Sequence, residues 1–417
     1  MMRLKLISAA LLAALPFCAL SAETPHPELP PTEAAVRVLR DFPLVQAAGH
    51  VLRAEEANKD KLAAGPHEWA LRLTRQQREV QLNPTQRYSE WDASLERALR
   101  LPGKGALDES LGAAGVAAAE LVLGDALHEA SRLLLANWFE WLRQKETLNQ
   151  WQEQVKLLER QSKAVKRRVE LGDASRIEGA QASAALAQAA AQLAQAKAKE
   201  ASARIELSRR FPGLPLPENT PDTLPGAPQG TPEFWRAAIL EHNHEMGMAR
   251  AESLKARLSA QRSDKERLPD PTIGVRMGRE RGGEEHIAGL TLSFALPGAA
   301  RGATARAALA QADAASSREA AVLRKVQSEA EALEQSVRAQ HAAWLDSREA
   351  AQQLSQAADM TERAYALGEG SLAETLMARR LAFEAQLAAQ LARLTDLENQ
   401  DRLLLDGHKL WPLDMDD

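Results

Sequence analysis

The sequence predicts a mainly α fold with a small β part, in which one unit of helix, two strands and long helical hairpin occurs twice. Three observations predict it. First, Val169-Glu170-Leu171-Gly172-Asp173-Ala174-Ser175-Arg176-Ile177-Glu178 returns as Tyr365-Ala366-Leu367-Gly368-Glu369-Gly370-Ser371-Leu372-Ala373-Glu374, with Leu-Gly, Ser and Glu in register 196 positions on. Second, Leu101-Pro102-Gly103-Lys104 is echoed by Leu296-Pro297-Gly298-Ala299, so 69 residues separate Gly103 from Gly172 and 70 separate Gly298 from Gly368. A repeat of this size is a duplicated structural unit. Third, the chain of 417 residues has only 7 Phe, 2 Tyr and 8 Trp but is rich in Ala, Leu, Glu, Gln and Arg. That bias suits long helices packed through small side chains better than one large globular core.

The elements follow in order. Arg3 and Lys5 precede an apolar run from Leu6 to Leu20, and small residues follow at Ala19, Ser21 and Ala22. This is the layout of a secretory signal peptide over 1–22, too short for a membrane span. Its removal takes the formal charge from −5 to −7 through the loss of Arg3 and Lys5. The single cysteine, Cys18, lies in it; a lipid on Cys18 is disfavoured by bulky Phe17, and the mature chain is left without thiol chemistry. No stretch after residue 22 reads as apolar over about 18 residues, so passage through a membrane would need strands. The mild acidity gives no reason to expect nucleic acid.

The first repeat, 23–211, opens with helix after Pro30-Pro31 and runs to about Gly65. The second, 231–407, opens at Thr231-Pro232-Glu233, with Thr at the N-cap and Pro at the first helical position, and runs to about Arg267. Strands follow. Trp69, Leu71 and Leu73 alternate with Ala70, Arg72 and Thr74, and Trp91, Ala93 and Leu95 with Asp92, Ser94 and Glu96. In the second repeat Ile273, Val275 and Met277, then Leu290, Leu292 and Phe294, alternate in the same way around the turn at Gly282-Gly283. Period-2 alternation indicates a two-sided sheet. Four strands cannot close a barrel alone, so they are either the blunt end of a soluble domain or a share of a barrel built by several chains.

Beyond each Leu-Pro-Gly corner comes a very long helix. No Gly or Pro interrupts Ala303 to Leu367, giving about 100 Å; in the first copy Gly112, Gly115 and Gly124 are expected to soften the start. Trp141, Leu148, Trp151, Val155, Leu158, Val165 and Val169 form a coiled-coil stripe. Gly172 and Gly368 read as left-handed helix stops. Ser175 with Glu178, and Ser371 with Glu374, read as capping boxes that start return helices of about 35 residues. Each return helix plus an opening helix placed end to end matches one long helix. The Pro-rich stretch 212–230 joins the repeats as an irregular outer belt, and 408–417 is a tail.

Together these features resemble the TolC family of outer-membrane efflux channels. Pro269-Asp270-Pro271-Thr272-Ile273-Gly274-Val275 is similar to the segment entering that family's second strand pair, and Tyr365-Ala366-Leu367-Gly368 with Ser371 and Glu374 resembles its hairpin tip. Tyr88-Ser89-Glu90-Trp91 with Leu99-Arg100-Leu101-Pro102-Gly103-Lys104 looks most like the heavy-metal, CzcC-like branch. The resemblance covers nearly the whole mature chain. It implies a homotrimer in which the hairpins form an α-barrel across the periplasm and each chain gives four strands to a shared 12-stranded transmembrane β-barrel in outer-membrane lipid. It also implies a passive conduit served by a periplasmic adaptor (membrane fusion) protein and an inner-membrane pump, of RND type and exporting divalent metal ions in the heavy-metal branch. Drug efflux and type I protein secretion are the alternatives within the class. A periplasmic coiled-coil adaptor is the competitor outside it, but an adaptor needs one hairpin between strand halves and this chain has two hairpins and two strand pairs.

The resemblance implies a channel constriction at Glu178, Tyr365 and Glu374, where the two glutamates also have a capping role. Gly370 stands where some members carry a gate arginine, and Met377 where they carry a second acid. Adaptor docking is implied at the exposed tips, Leu171, Gly172 and Asp173 with Leu367, Gly368 and Glu369. Arg72, Arg276, Asp92 and Glu96 read as lumen-facing strand residues or else as simply solvated ones, and the tryptophans of the long helix as packing knobs. His242-Asn243-His244 reads as ordinary helix, because residues i and i+2 point about 200° apart and cannot share an ion. The nine histidines supply no evident cluster, so neither a metal site nor a cofactor is expected. No phosphate loop, HExxH, GxSxG or cysteine ligand set appears, and the chain reads as no enzyme.

Overall fold

The computed structural model describes residues 26–81 and 83–412. The expected signal peptide, Cys18 and the last five residues of the tail lie outside them. Among the described residues eight α-helices and four strands follow one another as α1 (Thr32–Arg40), α2 (Pro43–Ala64), β1 (Ala70–Val80), β2 (Gln86–Ala98), α3 (Lys104–Glu170), α4 (Arg176–Arg210), α5 (Pro232–His242), α6 (His244–Lys265), β3 (Thr272–Glu280), β4 (Glu285–Ser293), α7 (Ala299–Ala366) and α8 (Leu372–Asp406), with a 3-10 turn at Arg281–Gly283 between β3 and β4.

The opening helix of each repeat is divided, where the sequence reading expects one. Asp41 and Phe42 end α1, and Pro43 starts α2 because it lacks an N–H to donate and suits a first helical position. In the second repeat the break is a single residue: the Asn243 side chain accepts from the Met246 N–H at 2.8 Å and caps α6. His242-Asn243-His244 is thus a helix junction, not continuous helix.

The long helices α3 and α7 have 67 and 68 residues, about 100 Å each, and α4 and α8 have 35. The glycines of α3 do not soften it. They admit neighbours: a Cβ on Gly112 would lie 2.9 Å from the Lys59 Cα of α2, and one on Gly124 would lie 2.6 Å from the His244 ring. Close approach of α2 and α6 to α3 is what they permit. Helix α3 also contains an 18-residue window of mean hydropathy 1.4, apolar enough to cross a membrane by length and composition, contrary to the expectation of no such stretch. Here one side of the helix carries the core. Its Leu123, Leu127, Leu134, Leu135, Trp138, Phe139 and Leu142 form the main core with Leu39 of α1, Val45 of α2, Leu207 of α4 and Leu394, Leu397 and Leu405 of α8.

Away from that core the helices pair as coiled coils. In α7 every seventh residue from Ala330 through Val337, Trp344 and Ala351 to Ala358 is buried, and in α4 Ala182, Ala189 and Ala196 repeat the spacing. Val155 and Leu158 of α3 pack on Ala189, as the stripe expects. The join 212–230 crosses the helices as irregular chain. Arg393 of α8 donates to the carbonyls of Pro221 and Thr223 at 2.8 Å, and Gln400 to that of Gly226 at 3.0 Å.

The strands form one antiparallel sheet in the order β1-β2-β3-β4. Its register places Leu71, Leu95, Val275 and Leu290 in one row, Leu73, Ala93, Met277 and Ala288 in the next, and Trp91 beside Arg75 and Arg279 beyond them. Residues paired across strands share a face, so this face is an apolar band. Leu290 is 89% exposed and Leu73 72%. The other face carries Arg72, Ser94, Arg276, Thr74, Asp92 and Glu96, and Arg276 lies 3.7 Å from Asp92.

Candidate functional site

The two ends of the helical pairs carry the chemistry. At the end away from the sheet each long helix stops at a left-handed glycine: Gly172 has φ 84° and Gly368 φ 83°. Asp173 N–H donates to the Arg168 carbonyl at 2.8 Å and Glu369 N–H to that of Ala364 at 2.9 Å, which closes both helix ends in the Schellman pattern. The return helices begin at complete capping boxes. Glu178 N–H donates to Ser175 Oγ at 3.2 Å while Ser175 N–H donates to Glu178 Oε2 at 2.8 Å, and Ser371 and Glu374 repeat the exchange. Leu171 and Leu367 are left 60% and 77% exposed at the turns, with Asp173 and Glu369 beside them.

The tip residues singled out in the sequence do not all meet. Tyr365 of α7 donates its hydroxyl hydrogen to Glu178 Oε1 at 3.2 Å, which joins the second hairpin to the first. Glu374 stays with its own cap. A third residue, absent from the sequence reading, completes the junction: Arg168 Nη1 donates to the Tyr365 hydroxyl at 2.9 Å, its Nη2 donates to the Asp173 carbonyl at 3.2 Å, and its guanidinium lies 5.3 Å from the tyrosine ring centre. Gly370 leaves no guanidinium in the second tip turn; α3 brings one from the other hairpin. The Ser175 backbone N–H, helped by Tyr365 and Arg168, holds Glu178 below the ordinary carboxylate range, and burial lifts Tyr365 above the ordinary phenol value. Glu374 is also held low, by the Ser371 N–H and hydroxyl. Both glutamates are therefore anions near neutral pH.

At the opposite end a buried ionic joint fixes the sheet to the helices. It unites two motifs read separately in the sequence. Lys104, 1% exposed, donates Nζ to Asp270 Oδ1 at 2.8 Å and to the Leu268 carbonyl at 2.7 Å. Leu101 N–H donates to Asp270 Oδ1 at 3.0 Å, and His67 Nε2 lies 2.7 Å from Oδ2. Burial opposes ionisation of Asp270, yet Lys104, His67 and the Leu101 N–H outweigh it and hold the carboxyl down at about 2. Beside it Asp108 accepts from Arg262 at 2.6 Å and Arg100 at 3.1 Å, and Arg100 also caps the last carbonyls of α2.

Four of the histidines do form a cluster, which corrects the sequence reading. His128 of α3 lies against His408, ring centres 5.4 Å apart, and against His244 at 5.8 Å. His408 also meets His242 at 5.2 Å and His244 at 5.0 Å. Burial, aided by Arg132, pushes His128 down to about 3, so its ring is neutral. The break at Asn243 is what lets His242 and His244 approach one partner despite their i, i+2 spacing.

No protein-family model matches this chain, and no curated protein does. Solved structures do match. The CmeC outer membrane channel of Campylobacter jejuni aligns with a TM-score of 0.76 at 14% identity, over 92% of this chain and 86% of that one. The outer-membrane channel OprN aligns at 0.78 and 16%, over 91% and 90%. VceC, an outer membrane protein of Vibrio cholerae, aligns at 0.75 and 16%, over 92% and 97%. At these identities the likeness establishes the fold: long helical hairpins and a four-stranded antiparallel sheet in the arrangement of TolC-like outer-membrane channels. It does not single out the heavy-metal branch.

Proposed function

We propose that this chain is the channel subunit of a tripartite efflux pump, placed in the outer membrane with a long periplasmic extension. The sheet carries this reading. One face carries two full apolar rows, bounded by Trp69 and Trp91 and by Arg97, Arg75 and Arg279 at the margins; the other is mostly polar, and β1 and β4 each have one edge without a neighbouring strand among the described residues. Such edges are not tolerated in lipid unless other strands complete them. Three copies would supply twelve strands and turn the apolar band to lipid, with Arg72, Asp92, Glu96 and Arg276 lining the lumen. The helical hairpins of the same homotrimer would form the tunnel, so that the chain conducts passively while a partner pump supplies energy.

Paired substitutions test the assignment of faces. Leu290→Arg should cost about 2–4 kcal/mol of barrel stability as a charge on the lipid face and deplete the protein from outer-membrane fractions. Arg at neighbouring Gly289, where nothing crowds the Cβ position, should be tolerated. Equal behaviour of the two variants would contradict a lipid-facing band.

The tips Leu171-Gly172-Asp173 and Leu367-Gly368-Glu369 are proposed to dock a periplasmic adaptor through their exposed leucines. A cysteine at Asp173 should cross-link to the tip of the adaptor in an assembled pump; absence of any adduct there would count against docking at this turn. Glu178, Tyr365 and Glu374 are assigned to the constriction. The finer assignment, divalent metal ions as cargo with an RND pump, rests on the resemblance of Tyr88–Trp91 and Leu99–Lys104 alone.

A further inference from the structure

We propose that His26, Glu28 and Asp401 form a binding site for a divalent ion of the zinc type, which would fasten the segment before α1 to the end of α8. The three residues come from the two ends of the described chain. His26 Nδ1 lies 2.9 Å from Glu28 Oε1 and 3.3 Å from Asp401 Oδ1, and one ligand atom from each residue falls within 4.8 Å of the others. Tetrahedral zinc with bonds of about 2.0–2.2 Å holds its donors roughly 3.3 Å apart, so little movement is needed to admit the ion.

The i, i+2 objection that applies to a helix does not apply here. His26-Pro27-Glu28 is a turn, closed by Leu29 N–H donating to the His26 carbonyl at 3.0 Å, and both side chains reach the same point. The indole N–H of Trp138, in the centre of the core, donates to the Glu28 carbonyl at 2.7 Å and holds the turn in place. That is an outer-shell support of the kind metal sites use.

Charge and hydrogen bonding both point to a missing cation. Glu28 and Asp401 are 4% and 2% exposed, and Glu28 Oε2 and Asp401 Oδ2 are buried without a hydrogen-bond partner. A buried acceptor left unsatisfied costs free energy, and a buried carboxylate costs more. Even with a proton on the imidazole, two carboxylates leave one negative charge uncompensated among the three residues. A divalent cation replaces that proton and balances both carboxylates, and chelation by both oxygens of each carboxylate would also occupy Oε2 and Oδ2. Imidazole favours zinc, iron, nickel and copper while carboxylates favour harder ions, so a mixed set suits a borderline ion such as Zn²⁺. Zinc takes the neutral imidazole, so a proton that His26 shares with Glu28 or Asp401 leaves as the ion enters.

The test uses the full trimer in detergent, with its affinity tag removed and chelator-stripped, titrated with zinc chloride by calorimetry in buffers of different ionisation heat. One zinc per chain with release of about one proton is expected, together with a higher unfolding midpoint. Glu28→Gln and Asp401→Asn should each weaken binding by more than the roughly 10–100-fold that loss of an outer-shell partner costs, and His128→Ala should leave it unchanged. Where a carboxylate variant fails to fold, zinc-edge absorption of the wild type decides: one imidazole among oxygen ligands is expected. Absence of binding, binding that survives Glu28→Gln, or a spectrum with several imidazoles would overturn the proposal. The last two would move the metal to the four-histidine cluster, and the first would leave His26 as an imidazolium bridge.

Discussion

Asp270→Asn is expected to destabilise the protein by up to about 3 kcal/mol, because it takes from the buried Lys104 ammonium its one buried counter-charge. Lys104 keeps only the Leu268 carbonyl and Glu266, a far more exposed carboxylate at 3.2 Å. The loss should appear as a lowered unfolding midpoint in detergent, accompanied by detachment of the strand pairs from the helices. Replacing the pair together, Lys104→Met with Asp270→Leu, should recover most of it, since removing both charges also removes their desolvation. The same ion pair sets an acid limit. Asp270 is held at about 2 against an ordinary value of about 3.9. Its contribution is complete above the unfolded value and lost as pH falls through the folded one. Wild-type stability should therefore drop between about pH 4 and pH 2, and this component of the drop should be missing in the double replacement. A midpoint in Asp270→Asn equal to that of wild type would show that the joint carries no stability.

Opening of the tip is the second large effect. Arg168→Ala combined with Tyr365→Phe removes the hydrogen bonds that tie Tyr365 of α7 to Arg168 of α3 and Glu178 of α4, while leaving the apolar packing around Val165 and Leu372 and both capping boxes intact. If the tips close the channel, single-channel conductance of this double variant should rise severalfold over wild type. Glu374→Gln touches no contact between hairpins and should instead lower cation selectivity and cation conductance, by removing one anion per chain from the entrance. The contrast separates holding the entrance shut from attracting cations to it. Unchanged conductance in the double variant would remove Arg168 and Tyr365 from any gating role, and unchanged selectivity in Glu374→Gln would leave that residue as a cap alone.

The parts of the fold legible in the sequence are those marked by local backbone chemistry. Gly172 and Gly368 mark helix ends because only a left-handed residue closes them cheaply, and Ser175-Glu178 and Ser371-Glu374 mark starts because their caps are reciprocal. The strands announce themselves by period 2, and their register then follows from which face is apolar. What was missed depends on approach in space. Gly112 and Gly124 look like weak points when a helix is considered alone, and only the positions of Lys59 and His244 show that they are contact surfaces. The breaks before Pro43 and at Asn243 span so few residues that helical composition runs through them. Arg168 sits in the basic run Lys163–Arg168, where nothing local distinguishes it from its solvated neighbours. The four histidines, and His26 with Glu28 and Asp401, come from segments that meet only after the hairpins have stacked. The sequence points to Tyr365 and Glu178 one at a time, but their hydrogen bond spans the two repeats and needs the fold.

The most direct test is electrical. Purified wild-type protein added to a planar lipid bilayer should insert to give discrete conductance steps of one uniform size, each step being one closed barrel made by several chains. A protein that stays soluble without detergent and leaves the bilayer silent would contradict the assignment of the sheet to a shared membrane barrel, and with it the channel function.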